Sequence, residues 1–517
     1  MPGVVPPAQG GHRPGEQFPV TSGGRRPGER PEVSREGDRP VERPAASLRR
    51  KRPGAVGGVA PQARSEPGAA PRGAAPFTAG QDIDVTVEDV AQGGWCVARP
   101  DGLPVMFVRH ALPGERVTAR VTEVTARFAR ADAVEILQAS PDRVQAPCPH
   151  ARPGGCGGCD WQHAALPAQR ALKAAVVSQQ LRRLAGIDRE VTVEPVGGDS
   201  PDSGDSAGST APDAAPGLGW RTRVQFAVDR AGVAGLRAHR SHRVVDIGDC
   251  LIAHPAIRDL DIPGDDWSGA ASVEAAVGGA DAADNFAVTV VAGDGGQSSP
   301  SRQKGKGRSR PNGGRRLSRP RRTLVEGRPY LAEQAAGRLW QVSADGFWQV
   351  HPAAADALSQ AVVAALDPRT GDTVLDLYSG AGLFAGAVAP LVGPDGAVTG
   401  IESDPAAVRN ARQNLSDDYP WVSFMRADVA EAAVSGELPP ARLVIADPPR
   451  AGLAREVVGR LAGDGPAERF AYVSCDPATL ARDLALLLAA GWRLEHLRAF
   501  DAFPMTHHVE CVATLAR

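Results

Sequence analysis

No apolar stretch of this 517-residue chain reaches the ~18 residues that a membrane-spanning helix needs. The Arg- and Pro-rich N-terminus also lacks the apolar core of a secretory signal. Cysteine is scarce: there are seven, and an odd number does not make the framework of a small secreted disulfide protein. Excess charge is missing as well. The net value of −2 does not mark the whole chain as a polycationic nucleic-acid binder. These absences leave a cytoplasmic protein without membrane attachment as the expectation, and imply no protein partner.

Three segments lack core-forming residues. Residues 1–79 have almost no apolar run and are full of Pro, Gly and Arg. Residues 197–217 are rich in Asp, Ser, Gly, Ala and Pro. Residues 293–323 carry ten Lys/Arg between Arg302 and Arg322, with no acid among them. None can bury enough apolar surface to offset chain entropy, so all three are expected to be disordered. The basic run is either a solvated loop or a source of non-specific affinity for RNA.

The remainder falls into three blocks. Residues 80–138 hold short alternating stretches, Ile83–Val87, Val105–Val108 and Val117–Val121, separated by Gly93-Gly94 and Pro113-Gly114. This predicts a small five-stranded, OB-like β-barrel, a fold that often holds unpaired nucleic acid. Residues 139–345 form a central α+β region, with a helix over Gln169–Leu184 and strands at Arg223–Val228 and Phe286–Val291. Residues 346–517 alternate strand and helix. Strands are expected at Thr373–Leu377, Ala397–Glu402, Val422–Arg426, Leu443–Ala446, Phe470–Ser474, Arg493–Phe500 and Val509–Leu515. Helices include Pro405–Leu415 and Pro477–Ala489. This is an α/β, doubly wound sheet with an antiparallel edge strand, the class I methyltransferase layout.

The first of these strands runs into Gly380-Ala381-Gly382, where a ligand can approach the backbone and a helix N-terminus favours a carboxylate. Glu402 ends the second strand, 20 residues after Gly382, where an acid can accept hydrogen bonds from both ribose hydroxyls. Asp428 follows the third strand and Asp447 the fourth, so all four elements meet at one rim. Singly, each acid could be a helix cap or a solvated carboxylate. Together they suit S-adenosylmethionine.

Cys475 lies in Ser474-Cys475-Asp476-Pro477, 28 residues after Asp447 and 35 before Glu510. A thiol at a helix N-terminus is expected to have a lowered pKa. A nucleophilic cysteine and a separate carboxylate can form a covalent adduct and later remove a proton. Pyrimidine C5 is a poor nucleophile until something adds to C6, so the pair points to carbon methylation of a pyrimidine. Cys511 should face the opposite side of its strand and be core, and Cys96 should be a packing residue in the barrel. Cys148, Cys156, Cys159 and the distant Cys250 suit an iron–sulfur cluster or an all-cysteine zinc site.

Three motifs carry a resemblance to the RNA 5-methyluridine methyltransferases. They are Asp447-Pro448-Pro449-Arg450-Ala451-Gly452, Ser474-Cys475-Asp476-Pro477, and Phe500-Asp501-Ala502-Phe503-Pro504-Met505-Thr506-His507-His508-Val509-Glu510. Residues 80–138 resemble the family's N-terminal TRAM barrel in Gly93-Gly94 and Leu112-Pro113-Gly114-Glu115, and Phe347-Trp348-Gln349-Val350 is shared. The resemblance implies Cys475 as nucleophile and Glu510 as proton acceptor. It implies Gln349, Tyr378, Glu402, Asp428 and Asp447 as S-adenosylmethionine contacts, and a [4Fe–4S] cluster on Cys148, Cys156, Cys159 and Cys250. Four positions depart from the pattern: Asp476 and His351 stand where Asn is usual, Met505 replaces Gln, and Leu383 replaces an Asn of some relatives.

The substrate implied is a uridine of 23S rRNA, with tRNA as the alternative. A further reading is an exocyclic-amine methyltransferase, which also uses Asp-Pro-Pro but needs no cysteine and usually follows it with an aromatic residue instead of Arg450. The last is a non-catalytic RNA-binding protein, against which the retention of both Cys475 and Glu510 argues.

Overall fold

Alternation of apolar and polar side chains closes the first block into a barrel. Strands β1 (Asp82–Ala91), β2 (Trp95–Ala98), β3 (Val105–Arg109), β4 (Arg116–Val124) and β5 (Phe128–Gln138) are ordered β1-β2-β3-β5-β4. Val87, Met106, Val108, Val117 and Ala131 fill the interior with Cys96, whose Sγ donates to the Ala111 carbonyl at 3.2 Å. Cys96 is therefore a packing residue. The computed structural model describes residues 77–197, 215–280, 284–293, 321–463 and 465–517. Apart from their margins, the segments 1–79, 197–217 and 293–323 lie outside these residues.

Helix α1 (Leu166–Gln180) begins three residues earlier than expected because Pro167 suits a first turn, and a π-helical turn extends it over Leu181–Ala185. Strand β6 (Val193–Pro195) follows. The central block is a six-stranded antiparallel sheet of β7 (Arg223–Val228), β8 (Ala234–Arg237), β9 (Val244–Val245), β10 (Ala270–Val277), β11 (Phe286–Ala292) and β12 (Arg322–Gly327). A hairpin of β13 (Tyr330–Ala335) and β14 (Arg338–Ser343) leads into the C-terminal block.

That block contains β15 (Thr373–Leu377), β16 (Ala397–Glu402), β17 (Val422–Arg426), β18 (Leu443–Ala446), β19 (Arg469–Ser474), β20 (Arg493–Asp501) and β21 (Glu510–Ala516). The sheet order is β17-β16-β15-β18-β19-β21-β20-β6. Every residue of β18 is buried, as expected for a strand covered on both faces. Each of its larger apolar side chains contributes roughly 1.5–3 kcal/mol. One apolar layer joins β14 to the helices Ala354–Leu366, Leu383–Val392 and Pro405–Leu415. The opposite layer joins α1 and β6 to the helices Val429–Ser435, Arg455–Ala462 and Pro477–Ala489. Thus α1, β6 and β14, all before residue 346, pack into the C-terminal core.

The antiparallel strand is not at the edge. β21 is inserted between β19 and β20, pairing antiparallel with both, and β6 adds to the outside of β20. The connection after β19 skips one strand position and the terminal hairpin returns β21 into the gap. Three residues of β6 show too little periodicity to be read beforehand. Among the described residues, no helix is long and apolar enough to cross a membrane.

Candidate active site

Parallel pairing brings the C-terminal ends of β15, β16 and β18 to one rim, because Leu377 pairs with both Ile401 and Ala446. The chain leaves β15 through Tyr378 (φ 63°), Gly380 (φ 55°) and Gly382 (φ 92°). A left-handed backbone is unusual for an aromatic residue and costs of order 1–3 kcal/mol, a strain that clusters at functional sites. Glu402 spans the turn: Oε2 accepts from Gly380 N–H at 3.1 Å, and Oε1 from Asp404 N–H at 2.7 Å.

Below the turn, buried Asp376 accepts from Ala385 N–H at 3.0 Å. Desolvation, with the charges of Asp447 and Glu402, pushes its carboxyl up to about 8. Asp376 Oδ1 and Ser379 Oγ are buried without a partner among the described residues. Such unpaired atoms beside an open glycine turn are what a polar ligand would satisfy. Asp428 caps the helix Val429–Ser435 and accepts from Ala430 N–H and Glu431 N–H at 2.9 and 3.0 Å. It also stands near Tyr378, whose hydroxyl is pushed up to about 12 by burial and then by Asp428 and Asp483. Gln349 is buried on the segment after β14; its neighbour Trp348 packs on Trp340, 5.7 Å between centroids.

The placement of β21 assembles the second half of the rim. Ser474 pairs with Cys511 in the antiparallel ladder, so Cys475 leaves β19 opposite Glu510. Had β21 been the edge strand, β20 would separate them. Cys511 is buried in the core, on the other side of its strand from Glu510. Cys475 is half-buried between β19 and Asp476, the N-cap of the helix Pro477–Ala489. The expected thiol depression is not what the site produces. Burial, with the negative charges of Glu510 and Asp447, pushes the Cys475 thiol up to about 12, and the nearby Arg450 cation opposes this only in part.

The same burial raises the other acids. The Glu510 carboxyl is pushed well above the usual range by desolvation and by Asp447, against Arg450. Desolvation lifts Asp447 to about 7. A carboxyl so raised is a stronger base once ionised. Replacing Arg450 with Gln removes a cation that favours ionisation of both Cys475 and Glu510. The ascending limb of the pH–rate profile should therefore move to higher pH. Activity near neutrality should fall roughly tenfold for each pH unit that the limb moves. An unmoved profile would show that Arg450 acts otherwise.

Several site neighbours carry no sequence signal. Asp476 Oδ1 accepts from Thr479 N–H at 2.8 Å, while Oδ2 accepts from Gln92 Nε2 at 3.0 Å. Gln92 lies in the β1–β2 turn of the barrel. In the same turn Gly94 (φ 77°) is pressed against Asp160, where a Cβ would approach to 2.8 Å. Asp160 gathers Arg109 Nη2 of β3 at 3.1 Å and His507 Nδ1 at 2.6 Å. Although burial opposes it, the His507 bond and the charges of His507 and Arg109 hold the Asp160 carboxyl well below its usual range. His507 lies against His508 at 4.1 Å, and His508 Nε2 is 3.4 Å from Arg450 Nη2. From α1, Lys173 fixes the same loop through buried Asp501 and donates to the Phe503 carbonyl at 2.9 Å.

The departures from the family pattern also have places. His351 is buried, is pushed down to about 4 by desolvation, and stacks on Trp220 at 6.0 Å. Leu383 joins the core, and Met505 N–H donates to Gln169 Oε1 at 2.7 Å. Cys148, Cys156, Cys159 and Cys250 all line one pocket, and burial raises the last three thiols. Among the described residues, no group of three or more His, Cys, Asp or Glu is arranged to hold a metal ion.

The doubly wound sheet with its ligand rim defines a class I methyltransferase. Residues 440–517 match the tRNA (Uracil-5-)-methyltransferase family, residues 76–134 the TRAM domain and residues 351–461 the methyltransferase small domain. An uncharacterized RNA methyltransferase of Streptomyces avermitilis is 48% identical over 452 residues, covering 84% of this chain and 98% of the relative. Another, from Bifidobacterium longum, is 35% identical over 464 residues, covering 84% and 96%. The solved tRNA (uracil-54, C5)-methyltransferase of Pyrococcus abyssi, in complex with S-adenosyl-L-homocysteine, shares the fold. Its TM-score is 0.58 at 22% identity, covering 84% of this chain and 100% of that one. The chain belongs to this family of RNA methyltransferases, S-adenosylmethionine-dependent enzymes with a uracil-5-methyltransferase domain.

Proposed function

We propose that the enzyme methylates C5 of a uridine in RNA through a covalent adduct to Cys475. The observation that carries this reading is the register that sets Cys475 opposite Glu510, with Asp447 and Arg450 within electrostatic reach of both. Cys475, ionised by loss of its thiol proton to solvent, bonds through Sγ to uracil C6, and the C5–C6 π electron pair shifts toward C5 and O4. S-adenosylmethionine supplies the methyl group that C5 takes. Glu510 then accepts the C5 proton, C5=C6 re-forms, and the C6–Sγ bond breaks. Burial of Glu510 suits it to this task, since a raised carboxyl accepts a proton from carbon more readily.

Glu402 and Asp428 would hold the ribose and adenine of the donor, with Tyr378, Gln349 and Asp447 completing its site. The unpaired Asp376 Oδ1 and Ser379 Oγ beside the glycine turn support a polar ligand there. The substrate is proposed to be 23S rRNA; the tRNA (Uracil-5-)-methyltransferase match over residues 440–517 favours tRNA as the second reading. Mass-spectrometric mapping of 5-methyluridine in both RNAs from a deletion strain decides between them. Loss of no methyluridine in either would overturn the function.

The four thiols of one pocket would hold a [4Fe–4S] cluster, an electron-rich, thiolate-bound centre that can also serve purely as a structural clamp. Anaerobically purified protein should be brown, with about four irons per chain. Colourless protein with one zinc would replace this assignment, and intact metal after Cys250→Ser would remove Cys250 from it.

A further inference from the structure

An open groove beside the cysteine loop has the composition of a phosphate track. Arg221, Arg237, His239, Arg240 and His242 line it, with Gly157 and Gly158 at its floor and no carboxylate among the lining residues. Arg237, Arg240 and His242 are exposed, and neither arginine is held in an ion pair among the described residues. The loop is not free to drift. Gly157 N–H donates to the Arg237 carbonyl at 3.0 Å, Cys156 bridges Ala238, and Arg243 donates to the Gly154 carbonyl. A Cβ on Gly157 would come within 2.6 Å of His239 Cα, so the cysteine loop lies flat beneath it.

Aromatic and cationic side chains flank the groove on two sides. Toward the barrel, the His239 ring meets Trp95 edge-on at 5.6 Å, and the Arg130 guanidinium lies 5.5 Å from the same indole and 4.8 Å from Phe128. Toward the catalytic rim, His239 is within electrostatic reach of His507, which lies against His508 beside Arg450. Desolvation and Arg109 hold His239 at about 4, and desolvation and His507 hold His508 at about 3. Their rings are thus neutral near pH 7 and offer flat stacking faces, while the arginines supply the charge. Interleaved aromatic faces and cations are how proteins hold unpaired strands without reading sequence.

We infer that this groove binds the phosphate backbone of single-stranded RNA flanking the target uridine, with Arg237 and Arg240 as its main phosphate contacts. The inference rests on the RNA reading proposed above, but its test does not depend on methyl transfer. Full-length enzyme would be titrated with a fluorescein-labelled, uridine-containing single-stranded RNA at several salt concentrations. In Arg237→Ala/Arg240→Ala, two lost phosphate contacts should reduce the slope of log K against log salt by about 1.4, with weaker binding at low salt. Arg237→Lys/Arg240→Lys should keep the slope. Ser241→Glu, at an exposed position, should weaken binding at low salt and lose that effect at high salt. Parental affinity and slope in both the alanine and glutamate variants would overturn the groove. If the parent binds RNA with the expected slopes yet forms no 5-methyluridine, the catalytic reading fails and the groove stands.

Discussion

Glu510→Gln should convert the enzyme into a trap. After methyl transfer, C5 of the base carries both a proton and a methyl group, and the adduct cannot open until that proton leaves. Glutamine fills the same space next to Cys475 but cannot accept it. The variant should transfer about one methyl per enzyme molecule and stall, lowering multiple-turnover rate by roughly 10²–10⁴-fold, the usual worth of a positioned base. Denaturing gels should show a protein–RNA band that carries label from the methyl donor and disappears when Cys475 is also replaced. Sustained turnover with no such band would assign proton removal elsewhere, with Asp447, whose charge acts on both Glu510 and Cys475, the next acid to examine.

Cys475→Ser should abolish methylation altogether while leaving affinity for S-adenosylhomocysteine unchanged. A hydroxyl adds to C6 far less readily than sulfur, and nothing else at the rim is a nucleophile of comparable strength. Tyr378, Glu402, Asp428 and Gln349, four of the donor's proposed contacts, come from elements other than the β19 end that carries Cys475. Asp447, which is within electrostatic reach of the thiol, is kept in the serine variant. Calorimetric titration with S-adenosylhomocysteine and a single-turnover assay separate the two effects. Wild-type methylation by the serine variant would exclude the covalent route. The raised thiol of the resting enzyme adds a condition: rate should climb with pH through the alkaline range until another group or the RNA limits it.

What is legible in the sequence is whatever repeats along the chain. Val374–Leu377 and Leu443–Ala446 announce buried parallel strands by their apolar runs, and the helices Pro405–Leu415 and Pro477–Ala489 stand at their expected bounds, each opened by a proline. Glu402 can be located from its distance to the glycine turn because one βα step has a nearly fixed length. The Cys475 thiol departs from expectation for an electrostatic reason. A helix N-terminus is a local feature, whereas Glu510 and Asp447 reach Cys475 only after the sheet forms. Likewise, no periodicity signals that β21 sits inside the sheet. Nor can Gln92 be linked to Asp476, 384 residues away, since a single polar side chain in a turn has no pattern. Asp160 is similar: its side-chain partners, Arg109 of the barrel and His507 of the loop before β21, come from two separate parts of the fold.

The β1–β2 turn has a consequence for how such an enzyme could be rebuilt. Gln92 grips the residue after Cys475, and two positions on Gly94 abuts the carboxylate that holds His507. The barrel is therefore a keystone of the catalytic loop, and cannot be exchanged as a detachable adapter. A chimaera carrying a foreign barrel would inherit a new RNA preference only if the transplanted turn kept an amide donor at position 92 and glycine at position 94. Without them, retargeting and loss of activity would arrive together, and the second would be mistaken for poor recognition.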